Sequence, residues 1–198
     1  MAEPSWDTHY VAAEPPPWDI GEPQPAFARL AAGGLLDGHV LDAGCGTGEQ
    51  TMLAAASGAD AVGVDVSAAA IAKARRKAAD RGLDVRFEVA DALSLADLGL
   101  TFDTVLDSGL FHVFDDADRV GYVSSLASVL EPGGTCYVMC FSDRQPGDLG
   151  PRRVSQDELR AAFADGWTVR SIVADSFRVN RDFGISSAQA WLATIDRA

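Results

Sequence analysis

Three glycines spaced two apart, Gly44, Gly46 and Gly48, follow the apolar pair Val40-Leu41 and precede a stretch ending in Ala54-Ala55-Ala56. Glycine adopts positive φ without strain and lets the backbone approach another group closely. A turn of this composition between a strand and a helix belongs to open α/β sheets, where ligands lie beyond the carboxyl ends of the strands. This one segment therefore constrains the chain to alternate strand and helix.

The rest of the chain keeps that alternation. Pro25 suits the first turn of a helix reaching about Leu36. Strands are expected at His39–Asp42, Ala61–Asp65, Val85–Val89, Phe102–Asp107 and Thr135–Phe141, the last apolar on both faces and so central. Helices are expected through Ala56, from the Ser67 cap to Gly82, from Asp116 to Leu130, and over Ser155–Phe163. Trp167–Phe177 and Ala188–Ile195 read as two strands with no helix between them, an antiparallel hairpin. The expected fold is α/β: a Rossmann-like doubly wound sheet of about seven strands, mostly parallel, with that hairpin at its C-terminal end and helices on both faces. Residues 25–198 form one domain, preceded by an arm or lid at residues 1–24 that holds five of the nine prolines together with Trp18.

The formal net charge of −13 opposes any role built on neutralising phosphates, so neither nucleic acid nor an anionic membrane is an expected partner. A small-molecule acceptor is, while oligomeric state leaves no mark in the sequence. Cys136 and Cys140 lie in one expected strand, with Cα atoms about 13 Å apart at ~3.3 Å per residue, too far for a disulfide. Cys45 and the scattered His9, His39 and His112 show no metal-ligand spacing. The N-terminus lacks the basic and apolar regions of a signal peptide, so the cytoplasm is expected.

The spacing of the glycines discriminates between ligands. A dinucleotide turn wants GxGxxG, but position 49 is Glu, whose charge would oppose a pyrophosphate; no GKS or GKT follows, which excludes a Walker-type loop. Asp65, at the tip of the second strand, suits the two hydroxyls of a ribose, with Val66 beside it to pack on a base. Asp91-Ala92 follows the third strand and Asp107-Ser108-Gly109-Leu110-Phe111-His112 the fourth.

Asp42-Ala43-Gly44-Cys45-Gly46-Thr47-Gly48 resembles motif I of the class I S-adenosylmethionine (SAM)-dependent methyltransferases, and Leu130-Glu131-Pro132-Gly133-Gly134 resembles their turn into the fifth strand. The likeness spans about residues 38–142. The arm, Pro17-Trp18-Asp19-Ile20-Gly21, and the later Gly150-Pro151-Arg152-Arg153 extend it toward the small bacterial thiopurine/thiol methyltransferase-like group, nearest the mycobacterial heterocyclic toxin methyltransferases. The resemblance implies SAM as cofactor and S-adenosylhomocysteine as product. It implies that Asp42, Gly44, Gly46 and Gly48 hold the amino-acid part and Asp65 the ribose. Val66, Asp91 and Ala92 would meet the adenine, Asp107 would face the sulfonium, and Trp18 and Gly21 would close over the cofactor. The Asn/Asp-Pro-Pro-aromatic and Pro-Cys sequences of DNA and RNA methyltransferases are absent, which favours a small aromatic or heteroaromatic acceptor methylated on O, N or S.

His112 is the candidate catalytic base, with His9 in the arm as a further candidate and the Tyr10 phenol as a pocket wall or hydrogen-bonding group. A thiolate or an unprotonated ring nitrogen would need no base. The alternatives are a thiol/halide S-methyltransferase and a non-catalytic SAM-binding protein; an NAD-dependent oxidoreductase is disfavoured by Glu49.

Overall fold

Val40 and Leu41, neighbours in one strand, are both fully buried and enter different clusters of the core. That is the mark of a central strand, whose side chains alternate between two covered faces. The computed structural model describes residues 6–12, 14–148, 150–180 and 187–198, so the start of the expected arm, residues 1–5, and position 13 lie outside the described residues.

The strands are β1 (His39–Ala43), β2 (Asp60–Asp65), β3 (Arg86–Val89), β4 (Phe102–Ser108), β5 (Leu130–Phe141), β6 (Trp167–Arg178) and β7 (Ser187–Arg197). They form one sheet in the order β3-β2-β1-β4-β5-β7-β6. The first five run parallel, while β7 pairs antiparallel with both β5 and β6. The order reverses at β1, where Ala43 lies beside Asp107 of β4. A crevice opens at such a switch point.

The helices are α1 (Asp7–Val11), α2 (Pro25–Ala32), α3 (Glu49–Ala56), α4 (Ala68–Asp80), α5 (Asp116–Val129) and α6 (Gln156–Ala162). Phe27 of α2 and Ala54 of α3 join one core with Val40, Leu106 and Met139. Tyr122 and Leu126 of α5 join the opposite one with Leu41, Val105 and Phe163. Local chemistry sets the helix starts: Ser67 Oγ accepts from Ala70 N–H at 3.1 Å, Asp115 caps α5, and Ser155 with Glu158 forms a capping box on α6.

Three details depart from the sequence reading. The helix α2 stops at Ala32, because Gly33-Gly34 follows and Gly34 takes a φ of 69°. Strand β5 begins at Leu130, paired with Phe102, and its register shifts before Thr135 rejoins Thr104. The arm carries the short helix α1, held by contacts with the domain rather than by its own five residues. No helix among the described residues is long and apolar enough to cross a membrane, and Cys45, Cys136 and Cys140 are free and buried.

Candidate functional site

The turn between β1 and α3 is shaped by what each glycine faces. A Cβ on Gly48 would stand 2.6 Å from the Phe87 ring, so this glycine serves the packing of β3 and α4 against the turn. A Cβ on Gly44 would meet Leu110 at 3.1 Å. Gly46 alone of the three turns toward the arm, its bare Cα facing the Tyr10 hydroxyl, and a Cβ there would lie 2.9 Å from that oxygen.

Asp42 stands at the base of the turn with no exposure at all. Its Oδ2 accepts from the Thr51 hydroxyl at 2.6 Å, while Oδ1 is buried with no hydrogen-bond partner. Burial pushes its pKa up to about 7, against the stabilising bonds from Thr51. An orphaned carboxylate oxygen at this depth is costly, and a cationic group is the partner that relieves it. Thr51, one turn into α3, is a supporting residue the sequence reading did not single out.

Asp65 ends β2. Its Oδ2 accepts from Gly46 N–H at 2.8 Å and its Oδ1 from Ser67 N–H at 2.8 Å, so one side chain joins the glycine turn to the start of α4. Burial raises its pKa despite those bonds. Each oxygen keeps acceptor capacity for a further hydroxyl. Val66 follows with 54% exposure, an apolar side chain left open to solvent. Asp91 is exposed and caps the 3₁₀ turn Ala92–Leu98 through Leu93 N–H at 2.9 Å, while Ala92 is buried beneath it.

Asp107 does not face the crevice. It is fully buried: Oδ1 accepts from Leu110 N–H at 2.7 Å, and Oδ2 from Phe111 N–H and the Tyr122 hydroxyl, each at 3.0 Å. Burial lifts its pKa to about 6. Its oxygens are engaged by the turn that follows β4 and by Tyr122, which gives Asp107 a structural role at the strand tip. Ser108, the next residue, lines the crevice instead.

His112 lies in the short 3₁₀ turn Phe111–Val113. Its Nδ1 accepts from Phe141 N–H at 3.0 Å. Burial, with Arg119 and Arg153 nearby, holds its pKa down at about 3. The one lone pair of the neutral ring is therefore already used. The general-base role expected for His112 has no free nitrogen in this geometry. Glu49 lines the crevice as well, but its charge is paired there with Lys77 at 2.9 Å and Arg81 at 2.8 Å.

The arm packs against the glycine turn and the start of α4. Asp7 Oδ1 accepts from Ser67 Oγ at 2.5 Å and Ala69 N–H at 3.0 Å, at the start of α4. Trp18 Nε1–H donates to the buried Tyr10 hydroxyl at 3.0 Å, placing that phenol over Gly46. Lys77 bridges Asp19 of the arm to Thr47 of the glycine turn. The Gln24 amide exchanges two hydrogen bonds with the Arg178 backbone, as a further strand would. Trp18 and Ile20 line the crevice with Phe177, Ser108 and Cys45, whereas Gly21 is exposed and serves as a turn with a φ of 72°. The enclosed space measures only about 60 Å³. Small-molecule sites run to roughly 300–1,000 Å³, so the space under the arm is small for such a ligand.

Residues 40–134 match the family described as "Methyltransferase domain". The chain is 39% identical over 170 residues to the 2-heptyl-1-hydroxyquinolin-4(1H)-one methyltransferase of Mycobacteroides abscessus, covering 84% of this chain and 75% of that one. It is 27% identical over 192 residues to probable thiol methyltransferase 2 of Arabidopsis thaliana, covering 96% and 83%. A structure solved in work on conversion of a disulfide bond into a thioacetal group during echinomycin biosynthesis superimposes with a TM-score of 0.84 and 40% identity, covering 92% of this chain and 85% of that one.

Proposed function

The chain belongs to the SAM-dependent methyltransferases, and from that footing we propose that it methylates an oxygen of a small hydroxylated heteroaromatic compound. The observation that carries this acceptor class is the aromatic lining at the tip of β4. Phe177 and Trp18 wall the crevice beside Ser108, with Phe141 and His112 packed behind Phe177 at ring distances of 5.5 and 5.9 Å. Flat faces of this kind receive a planar ring and exclude water. The similarity to a hydroxyquinolone methyltransferase supports the same class.

The residues present fit the cofactor. The unpaired Asp42 Oδ1 suits its amino group, directly or through water, with Gly46 offering bare backbone beside it. Asp65 would take the ribose hydroxyls, and Val66, Asp91 and Ala92 would border the adenine. Bound there, SAM supplies a methyl group on a cationic sulfur, open to in-line displacement. The chain's own part is to align and desolvate. Tyr10, Trp18 and Ile20 close from the arm, so residues 1–24 act as a lid on the single domain 25–198. With the lone pair of His112 engaged and Asp107 enclosed, the acceptor enters already ionised or with a free lone pair.

A thiol acceptor is the second reading, supported by the Arabidopsis relative. The net charge of −13 supports a small molecule over nucleic acid, and the free buried cysteines support a cytoplasmic setting. Purified protein with methyl-deuterated SAM and a panel of hydroxyquinolones, phenols, thiols and halides, read by mass spectrometry, tests the assignment. The label on a hydroxyquinolone oxygen, at a kcat/KM at least about tenfold above any thiol, is the expected result. A reversed ranking makes the thiol reading correct.

A further inference from the structure

His112 is surrounded in a way that fixes not only its charge but the position of its proton. The ring lies edge-on to Phe141 and Phe177, at centroid distances of 5.1 and 5.9 Å. The donation from Phe141 N–H to Nδ1 at 3.0 Å requires a bare Nδ1. A neutral imidazole that accepts at one nitrogen carries its proton on the other. With Arg119 and Arg153 close and the ring buried, a second proton is strongly opposed. The proton is therefore on Nε2.

That Nε2–H has no hydrogen-bond partner among the described residues, yet it is not one of the sealed, unpartnered atoms of the interior. What leaves it reachable is Gly109. A side chain at that position would begin 3.5 Å from Nε2 and 3.7 Å from Phe177, directly over the imidazole edge. The φ of 94° at Gly109 also opposes any other residue. Phe177 and Ser108, on either side, both line the crevice. Gly109 and His112 themselves stand just behind that lining, with the Gly109 position in contact range of both Phe177 and the imidazole.

We propose that His112 is a hydrogen-bond donor to the acceptor: its Nε2–H, reached across Gly109, binds a carbonyl or oxide oxygen carried on the acceptor's ring, at a ring position other than that of the methylated oxygen. This rests on the reading of the acceptor as a hydroxylated heteroaromatic. It makes His112 a specificity determinant. A buried donor left unpaired is penalised, so ring systems without an accepting oxygen are discriminated against. No proton is transferred, and the ring is unchanged through the reaction.

Two measurements test this. In a ¹⁵N-histidine NMR spectrum, with the His112 signals assigned by their loss in His112→Asn, Nδ1 is expected bare and Nε2 protonated from about pH 5 to 8. A proton on Nδ1, or titration to the cation in that range, overturns the proposal without reference to any acceptor. The second measurement is steady-state kinetics of His112→Asn, whose Oδ1 can still accept from Phe141 N–H but which has no donor at the Nε2 position. For a hydroxyquinolone with a ring carbonyl, KM should rise about tenfold while kcat stays within about threefold; a hydroxyquinoline without the carbonyl should change by less than about twofold. His112→Gln, which restores an amide N–H, should recover part of the loss. Equal losses on both acceptors, or a kcat loss that scales with acceptor pKa, overturn the donor role. Wild-type enzyme that turns over neither compound refutes the acceptor class instead, and the NMR result then still decides the protonation on which the donor depends.

Discussion

Asp42→Asn should make the free protein more stable while weakening its hold on the cofactor. In the folded chain the Asp42 carboxyl is fully buried and its pKa stands at about 7 rather than 3.8. At 1.36 kcal/mol per unit, that shift is roughly 4 kcal/mol against the ionised form, an upper bound. The sign follows from linkage. Between about pH 4 and 7 the folded state keeps a proton that the unfolded chain has released, so this group's contribution to stability declines as pH rises through that window and levels off above it. Asparagine removes the penalty but leaves an amide N–H₂ to satisfy, at about 1–3 kcal/mol. The net gain at pH 8 is then about 1–3 kcal/mol, or roughly 2–10 °C in Tm for a chain of this size, shrinking to nothing or to a small loss below about pH 4. Binding should move the other way. Loss of a charge-assisted bond to the amino group, about 1.5–3 kcal/mol, weakens S-adenosylhomocysteine roughly 10–150-fold at pH 8. Thermal melts across pH with parallel calorimetry read both effects. A variant that binds as tightly as wild type, or melts below it at pH 8, refutes the reasoning.

Other expectations follow from the same geometry. Wild-type affinity for S-adenosylhomocysteine should fall as pH drops below about 7, by at most tenfold per unit, because protonated Asp42 must release its proton to meet an ammonium group; calorimetry in buffers of different ionisation enthalpy detects the released proton. Asp65→Ala should lose about 1.5–3 kcal/mol of cofactor affinity and also loosen the glycine turn, since Gly46 N–H and Ser67 N–H both lose their acceptor. Gly48→Ala should destabilise by about 2–4 kcal/mol in denaturant titrations, combining a φ of 84° with a Cβ 2.6 Å from Phe87. Asp7→Ala should speed hydrogen exchange over residues 6–22 by freeing the arm from α4. The same loosening should appear in wild type as pH falls through the Asp7 pKa, which its bonds to Ser67 and Ala69 hold below the ordinary value.

The alternation of strands and helices and the C-terminal hairpin were legible because the glycine turn, the Asp65 tip and the apolar β5 each have a strong local signature, whereas the order of the strands in the sheet was not read from the sequence. The direction of a side chain was not. Asp107 sits at a strand tip as Asp65 does, yet the turn after it folds back and offers Leu110 and Phe111 N–H groups, which capture the carboxylate. His112 is five residues on from that strand tip, but its lone pair goes to β5, through a contact between residues 29 apart that no local pattern announces. Glu49 read as a bare charge beside a ligand, while Lys77 of α4 and Arg81 at its end neutralise it through contacts about 30 residues away in sequence. The helix α1 is too short to be stable alone. It forms where Asp7 finds Ser67 and Tyr10 finds Trp18, again contacts made only in the fold.

The most direct test of the account is a crystal structure of the complex with S-adenosylhomocysteine. The amino group is expected within hydrogen-bond distance of Asp42 Oδ1, directly or through one water, with both ribose hydroxyls on Asp65 and the arm closed above. A ligand bound elsewhere, or bound in the crevice with Asp42 Oδ1 still unpartnered, would contradict it.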